Sequence, residues 1–206
     1  MRHSLLLVAV VALAALAAPA HGQYMFLDVN GDQVCDSNDV LAPSSTAIDV
    51  WLDTDSNAGG GAVTCNVSTN ALTINSYEII LRASGTITFA DPATGWADNL
   101  SFATVLGNAI AGTDVYMGRG SGTILSPGTY KLGTLTVSGV VAGVSVAIVS
   151  STTASATALT SFGSACEGND FDNTMKLNSD WNDTCGTPSG TPVTSTTWGQ
   201  IKALYR

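Results

Sequence analysis

The chain has 206 residues, a formal net charge of -9, 11% charged residues and 45% hydrophobic residues. The acidic balance argues against nucleic acid as a partner, because phosphate backbones are bound by clusters of Lys and Arg. Both histidines, His3 and His21, lie near the N-terminal end. Their position argues against Ser-His-Asp catalysis and against most zinc or iron sites in the rest of the chain.

The first 22 residues have the organisation of a secretory signal peptide. A basic start with Arg2 is followed by an apolar run over residues 5–18 and by small residues up to Gly22. The apolar run is shorter than the ~20 residues that cross a bilayer as a helix. We therefore expect a secreted, extracellular protein with no membrane span after the signal is cleaved.

A strand is predicted over residues 24–27, and an oxygen-rich segment follows it at once. Residues 28–39 spell Asp-Val-Asn-Gly-Asp-Gln-Val-Cys-Asp-Ser-Asn-Asp, with oxygen-bearing side chains at positions 1, 3, 5, 9 and 12. Ca²⁺ takes about six to eight oxygen ligands, which a tight loop supplies from alternate side chains and one backbone carbonyl. The spacing therefore predicts a calcium loop with Ca²⁺ as its cofactor.

This loop resembles the calcium loops of EF-hand proteins and, more closely, those of dockerins, which share the Asp-Val-Asn-Gly-Asp opening and an Asp at position 12. The chain departs from that pattern at position 6, where Gln33 replaces the Gly of the sharp turn, and at position 8, where Cys35 replaces an aliphatic residue. Carried over by position, the resemblance implies six ligands: the side chains of Asp28, Asn30, Asp32, Asp36 and Asp39 and the carbonyl of Val34.

The surroundings of the loop differ from those of a dockerin. A strand precedes the loop, Pro43 leaves little room for a helix after it, and the sequence carries no second copy of it. We therefore expect a solitary structural calcium loop rather than a cohesin-binding dockerin. The alternative is a solvated, Asp-rich turn that binds no metal.

The four cysteines predict two disulfides in an exported chain. They are Cys35, Cys65, Cys166 and Cys185, and three pairings are possible. Short loops favour Cys35 with Cys65 and Cys166 with Cys185, although the sequence does not choose among the pairings. A disulfide at Cys35 would restrain the same region as the calcium loop.

The pattern after the loop predicts short strands separated by turns. Apolar and polar residues alternate from Ala47 onward, with Ile48 and Val50 on one face and Trp51 on the other. Further strands are predicted over residues 62–67, 72–83, 86–89, 113–117, 130–137 and 144–149. Residues 118–122 are predicted as a loop, and residues 96–110 as a short helix or a long crossover loop, because their apolar positions have roughly helical spacing.

The predicted fold class is all-β, because no alternation of helices and strands appears. We expect an antiparallel β-sandwich of cohesin-like or jelly-roll type, with about eight or nine strands and the calcium loop near its N-terminus. Residues 48–52, 74–81 and 131–137 resemble strands of cohesin-like sandwiches. The domain is expected to span residues 23–185, followed by a linker over residues 186–197 and a C-terminal tail over residues 198–206.

No enzyme is expected, because the mature chain carries no histidine and its thiols are expected to be oxidised. A glycosidase needs only two carboxylates, and Glu78 could form such a pair, although no spacing selects its partner. The candidate partners are Asp49, Asp53, Asp91 and Asp98.

The leading functional hypothesis is a non-catalytic binding or structural role. Low charge and many β-prone strands suit assembly with another protein or with further copies at a cell surface, in an extracellular matrix or in a filament. The alternative is a carbohydrate-binding module that uses exposed aromatic rings. Trp51 is the predicted platform, because it points away from Ile48 and Val50.

Overall fold

The computed structural model describes residues 24–55, 72–149, 160–166 and 170–176. The predicted signal peptide, linker and tail lie outside these residues, as do the side chains of Cys65, Cys166 and Cys185. The described residues form one helical turn, α1 Pro92–Gly95, and eleven strands: β1 Tyr24–Asp28, β2 Ala47–Asp53, β3 Ile74–Ala83, β4 Thr88–Phe89, β5 Trp96–Asp98, β6 Thr104–Ala111, β7 Asp114–Leu125, β8 Thr129–Ser138, β9 Val146–Ile148, β10 Ser161–Cys166 and β11 Asp170–Lys176.

The strands form two sheets, and every pairing among the described residues is antiparallel. The first sheet has the order β1-β2-β8-β4, and β5 also pairs with β8. The second sheet has the order β11-β10-β3-β7-β6, and β9 also pairs with β3. The prediction of an all-β antiparallel sandwich is confirmed, with more strands than the eight or nine expected.

One hydrophobic core lies between the two sheets. In β2, every second residue is buried, which is the pattern predicted from the sequence. The core cluster unites these residues with inward-pointing residues of the second sheet. Fully buried members from the central strands are Ile48, Val50, Leu52, Tyr77, Ile79, Leu81, Val115, Met117, Leu132 and Leu135.

The prediction of a helix or crossover loop over residues 96–110 is wrong, because this region contains β5 and β6. Helix α1 lies just before it and is one turn long, capped by the Asp91 carboxylate, which accepts a hydrogen bond from the amide of Ala93. The backbone amide of Asn99 donates to Leu132 in β8 and so continues the pairing of β5 with that strand. The apolar residues of β6 mimic helical spacing because they lie on an exposed edge strand, where burial does not enforce alternation.

The prediction of a loop over residues 118–122 is also wrong, because β7 continues through this glycine-rich segment. Gly118 and Gly120 pair with Glu78 and Ser76 of β3. A Cβ atom on Gly118 would lie 3.1 Å from both the Tyr116 hydroxyl oxygen and Leu106 Cβ. Gly118 therefore makes room for neighbouring side chains on the sheet surface, and neither glycine forms a turn.

The predicted calcium loop lies in the connection between β1 and β2. The strand β1 ends at Asp28, the first residue of the loop, and Asp28 is paired with Asp49 of β2. The loop is therefore anchored on an edge strand of the first sheet. No helix in the described ranges is long and apolar enough to span a membrane.

Candidate functional site

Two residues of the loop at 28–39 have a left-handed backbone conformation, which residues with a Cβ atom rarely adopt. Gly31 at position 4 has φ 80°, and Gln33 at position 6 has φ 65°. The left-handed conformation at position 6 is the one that a Gly supplies in most calcium loops, and here Gln33 adopts it despite its Cβ. The sequence identified this position as unusual, and the backbone agrees.

Asp28 holds the first half of the loop together. Its two carboxylate oxygens accept hydrogen bonds from the amides of Gly31, at 2.6 Å, and Gln33, at 3.0 Å. The residue is only 1% exposed, although it lies where the chain leaves the sheet. Both left-handed residues thus present their amides to the same buried carboxylate.

Asn30, Asp32 and Asp36 each accept from an amide two residues further along. In chain order, their side-chain oxygens lie 2.9 Å from Asp32 N, 2.9 Å from Val34 N and 2.6 Å from Asn38 N. Such short side-chain-to-backbone contacts stabilise tight turns. They keep the polar side chains of this segment folded against its backbone.

Asp39 closes the loop back onto its beginning. Its carboxylate accepts from Val29 N at 2.9 Å and from Asp36 N at 3.1 Å, and the residue is 8% exposed. Burial raises the pKa of Asp39, and the nearby charge of Asp28 adds to this, while the bonds from backbone amides oppose it. Two buried carboxylates of like charge therefore lie at the two ends of the loop, where a cation would reduce their repulsion.

The donors of this loop fit calcium by their chemistry. All six predicted ligands offer oxygen, the element that hard divalent cations prefer. Within the described part of the chain, however, no three His, Cys, Asp or Glu side chains are grouped as a metal site. The match of this loop to a calcium site therefore depends on its oxygen donors and its backbone turns, and not on a cluster of carboxylates around a common centre.

Cys35, at position 8 of the loop, is disulfide-bonded. The bond anchors the chain between the predicted ligands Val34 and Asp36. Its pairing stays a prediction, because the side chains of the other three cysteines lie outside the described residues.

Trp51 lies on the outer face of the first sheet, as predicted, but it is half-buried. Its ring stacks on Phe26 of β1, with centroids 6.1 Å apart and planes 7° from parallel. Its register partner Lys131 forms a 2.6 Å ion pair with Asp49, which also accepts from Thr134. The ring therefore has one face occupied by Phe26 and polar groups beside it.

The fold does not bring Glu78 together with two of its candidate glycosidase partners, Asp49 and Asp53. Glu78 alternates with the core residues of β3 and lies on the outer face of the second sheet, where the Tyr116 hydroxyl donates to it. Asp49 and Asp53 alternate with the core residues of β2 and lie on the outer face of the first sheet. The two sheets pack about 10 Å apart, so carboxylates on the two outer faces lie farther apart than that.

The two remaining candidates have local structural partners. Asp91 caps α1, and Asp98 accepts from the amides of Leu100 and Phe102. Neither carboxylate has Glu78 among its hydrogen-bonding neighbours in the described residues.

A buried polar network between the two sheets was not predicted from the sequence. The Tyr77 hydroxyl of β3 donates to Asp98 at 2.9 Å and accepts from Trp96 Nε1 at 3.1 Å. The indole of Trp96 lies so close to Gly133 that a Cβ there would come within 2.4 Å of it. Burial, followed by the Asp98 charge, raises the pKa of Tyr77. The only sequence signal was an inward-pointing Tyr, which needs a partner for its hydroxyl.

Arg119 is another buried polar group that sequence reasoning missed. It is 6% exposed and donates to the side-chain oxygen of Asn108 and to the carbonyls of Gly118 and Pro92. It thereby ties β7 to β6 and to the start of α1. Its role is structural, because each of these acceptors is neutral and belongs to the surrounding fold.

Comparisons with protein-family models, with curated proteins and with solved structures each gave no match. The function is therefore inferred from the residues of this chain and their arrangement.

Proposed function

We propose that this chain is an exported β-sandwich, stabilised by one Ca²⁺ ion, with a non-catalytic structural or assembly role outside the cell. The observation that carries the calcium part is the loop itself. It combines oxygen donors at the required spacing with left-handed turns at Gly31 and Gln33 and buried carboxylates at both ends.

Calcium is proposed as a stabiliser and not as a reactant. Asp28, Asn30, Asp32, Asp36, Asp39 and the carbonyl of Val34 would hold it. When bound, it would supply positive charge between buried carboxylates and join the end of β1 to the segment that leads to β2. Asp28 and Asp39 orient the loop through their amide contacts, and the Cys35 disulfide restrains its second half.

Export is supported by the N-terminal sequence and by Cys35. An apolar run of signal-peptide length precedes the domain, and stable disulfides are characteristic of oxidising compartments.

An assembly role is favoured over carbohydrate binding by the surface of the sandwich. Trp51 is less exposed than a sugar platform would need to be, and one face of its ring is stacked on Phe26. By contrast, three large apolar side chains of β6 are about half exposed: Val105, Leu106 and Ile110. Apolar groups on an edge strand that only β7 pairs with among the described strands suit a protein partner.

Thermal unfolding in calcium and in EDTA tests the proposal. At a free Ca²⁺ concentration ~100 times its dissociation constant, binding to the native state alone adds ~2.7 kcal/mol. For a domain of this size we expect the melting temperature to rise by about 5–10 °C relative to EDTA. Mg²⁺ at the same concentration serves as the control, and equal melting temperatures in calcium and EDTA would contradict the proposal.

A further inference from the structure

The ion pair between Lys131 and Asp49 lies beside the start of the loop at residues 28–39. Asp49 in β2 is the register partner of Asp28, which ends β1 and opens the loop. Residues directly opposite each other in an antiparallel pair point to the same face of the sheet, with Cβ atoms about 4.5–5.5 Å apart. Asp49 is therefore a neighbour of the loop in space, although it lies outside the loop in the sequence.

Two like charges thus face each other where the loop begins, an arrangement that is destabilising by itself. The Asp49 carboxylate is balanced by its own partners, because Oδ2 accepts from Lys131 Nζ and Oδ1 from Thr134 Oγ1, each at 2.6 Å. The Asp28 carboxylate is occupied differently, since both of its oxygens accept from amides of the loop. Among the described residues, Lys131 pairs with Asp49 and with no carboxylate of the loop.

Lys131 is the one Lys or Arg in the described strands of the first sheet. The loop itself contains four Asp and no Lys or Arg. The Lys131 side chain is 27% exposed and that of Asp49 is 18% exposed, so solvent screens their charges only in part. Both charges therefore act on the carboxylates of the loop, with opposite signs.

We propose that Asp49 and Lys131 set the calcium affinity of the loop from outside it. The Asp49 carboxylate adds negative charge next to Asp28 and so raises the affinity. The Lys131 ammonium repels a divalent cation and lowers the affinity. Its pairing with Asp49 also keeps it away from the loop carboxylates, where it would compete with calcium. The inference rests on the proposed calcium site and names the residues that tune it.

Calorimetric titration of the calcium-free full chain with CaCl₂, at an ionic strength of ~10 mM, tests this inference. Lys131→Met removes the positive charge and keeps an apolar stem, so it should tighten calcium binding by ~2- to 5-fold. Asp49→Asn should weaken binding by ~2- to 5-fold, because it removes a negative charge and releases the Lys131 ammonium. Lys131→Arg keeps the charge and should bind calcium as the wild type does.

The opposite signs of these shifts distinguish tuning from a purely structural role. Both substitutions break the same ion pair, so a structural contribution of that pair would change the affinity in the same direction in both variants. Combining Asp49→Asn with Lys131→Met should return the affinity close to that of the wild type, because the two charges are removed together. Raising the salt concentration to ~0.5 M should shrink both shifts. Melting in EDTA verifies that each variant is folded.

Arg82→Met is the matched control for Lys131→Met. Arg82 also forms an ion pair, with Asp114 at 2.7 Å, but it alternates with the core residues of β3 and lies on the outer face of the second sheet. The two substitutions change the net charge of the chain equally. Arg82→Met should leave the calcium affinity unchanged, and equal tightening by both variants would overturn the role of Lys131.

The outcomes separate the failure of this inference from the failure of the proposed function. Calcium binding whose affinity is unchanged in Lys131→Met and Asp49→Asn, or shifts in the same direction in both, would overturn the tuning and leave the calcium site intact. A wild-type chain that binds no calcium would overturn the proposed site itself, and the tuning with it.

Discussion

Substituting Asp28 by Asn is expected to remove most of the stabilisation of the fold by calcium. Asp28 occupies position 1 of the loop and is buried, so no other side chain can take its place from solvent. Calcium affinity depends on the number of charged ligands, and removal of this one should weaken binding by ~100-fold. At ~100 times the wild-type dissociation constant the variant would be only half occupied, so the rise in melting temperature between EDTA and calcium should shrink to about 1–2 °C.

In EDTA the same substitution is expected to have a smaller effect, because two consequences oppose each other. The amides of Gly31 and Gln33 lose an ionised acceptor, which costs about 1–3 kcal/mol. The loss of the Asp28 charge also relieves Asp39, whose pKa is raised in part by that charge.

Asn38→Ala is the control for Asp28→Asn. Asn38 lies at position 11, which supplies no ligand, and its side-chain amide donates to Asp36 at the surface of the loop. A calcium response that Asn38→Ala abolishes and Asp28→Asn retains would contradict the assigned ligands.

Replacing Tyr77 by Ala is expected to destabilise the domain by about 3–5 kcal/mol. The side chain is 1% exposed and packs against the rings of Trp96 and Phe102, with centroids at 6.4 Å and 5.9 Å. Its removal leaves a cavity between the sheets. At about 2–4 °C per kcal/mol for a domain of this size, the melting temperature should fall by about 6–20 °C.

Tyr77→Phe separates the contribution of the hydroxyl from that of the ring. It removes the hydroxyl that bonds to Asp98 Oδ1 and Trp96 Nε1. The free energy of unfolding measured in urea should therefore fall by about 1–3 kcal/mol. Tyr130→Phe is the control, because the Tyr130 hydroxyl donates to Ser126 at the exposed end of β8, and it should change stability by less than ~0.5 kcal/mol. Equal effects of the two substitutions would show that the buried network does not join the sheets.

The sequence predicts a strand most reliably where one face is buried. In β2 the alternation of Ile48, Val50 and Leu52 reports directly that one side faces the core, and the strand forms where expected. In β6 no such constraint acts, since Val105, Leu106 and Ile110 are exposed, and their spacing resembles that of a helical face. Edge strands are therefore the elements that periodicity predicts least well.

Glycines misled the prediction for a related reason. Gly118 and Gly120 suggested a loop, because glycine is common in turns. In β7, Gly118 makes room for Tyr116 of the same strand and Leu106 of β6, and Gly120 lies against Leu106. Some of the residues that pack over a glycine come from the neighbouring strand, so the sequence of one strand alone does not reveal them.

The backbone turns at residues 28–39 depend mainly on local interactions. Its side-chain contacts with backbone amides mostly join residues two to five positions apart, so the spacing of the acidic residues nearly determines the turns. The long-range contacts of Tyr77 with Trp96 and Asp98 span about twenty positions and had no such local signature.

Calorimetric titration of the calcium-free protein with CaCl₂ tests the central proposal most directly. We expect one Ca²⁺ to bind per chain of the wild type, with an unchanged signal in Asn38→Ala and no saturable binding in Asp28→Asn over the same range. Heats equal to those of dilution for the wild type, or binding that Asp28→Asn retains at full strength, would contradict the assignment of residues 28–39 as a calcium loop.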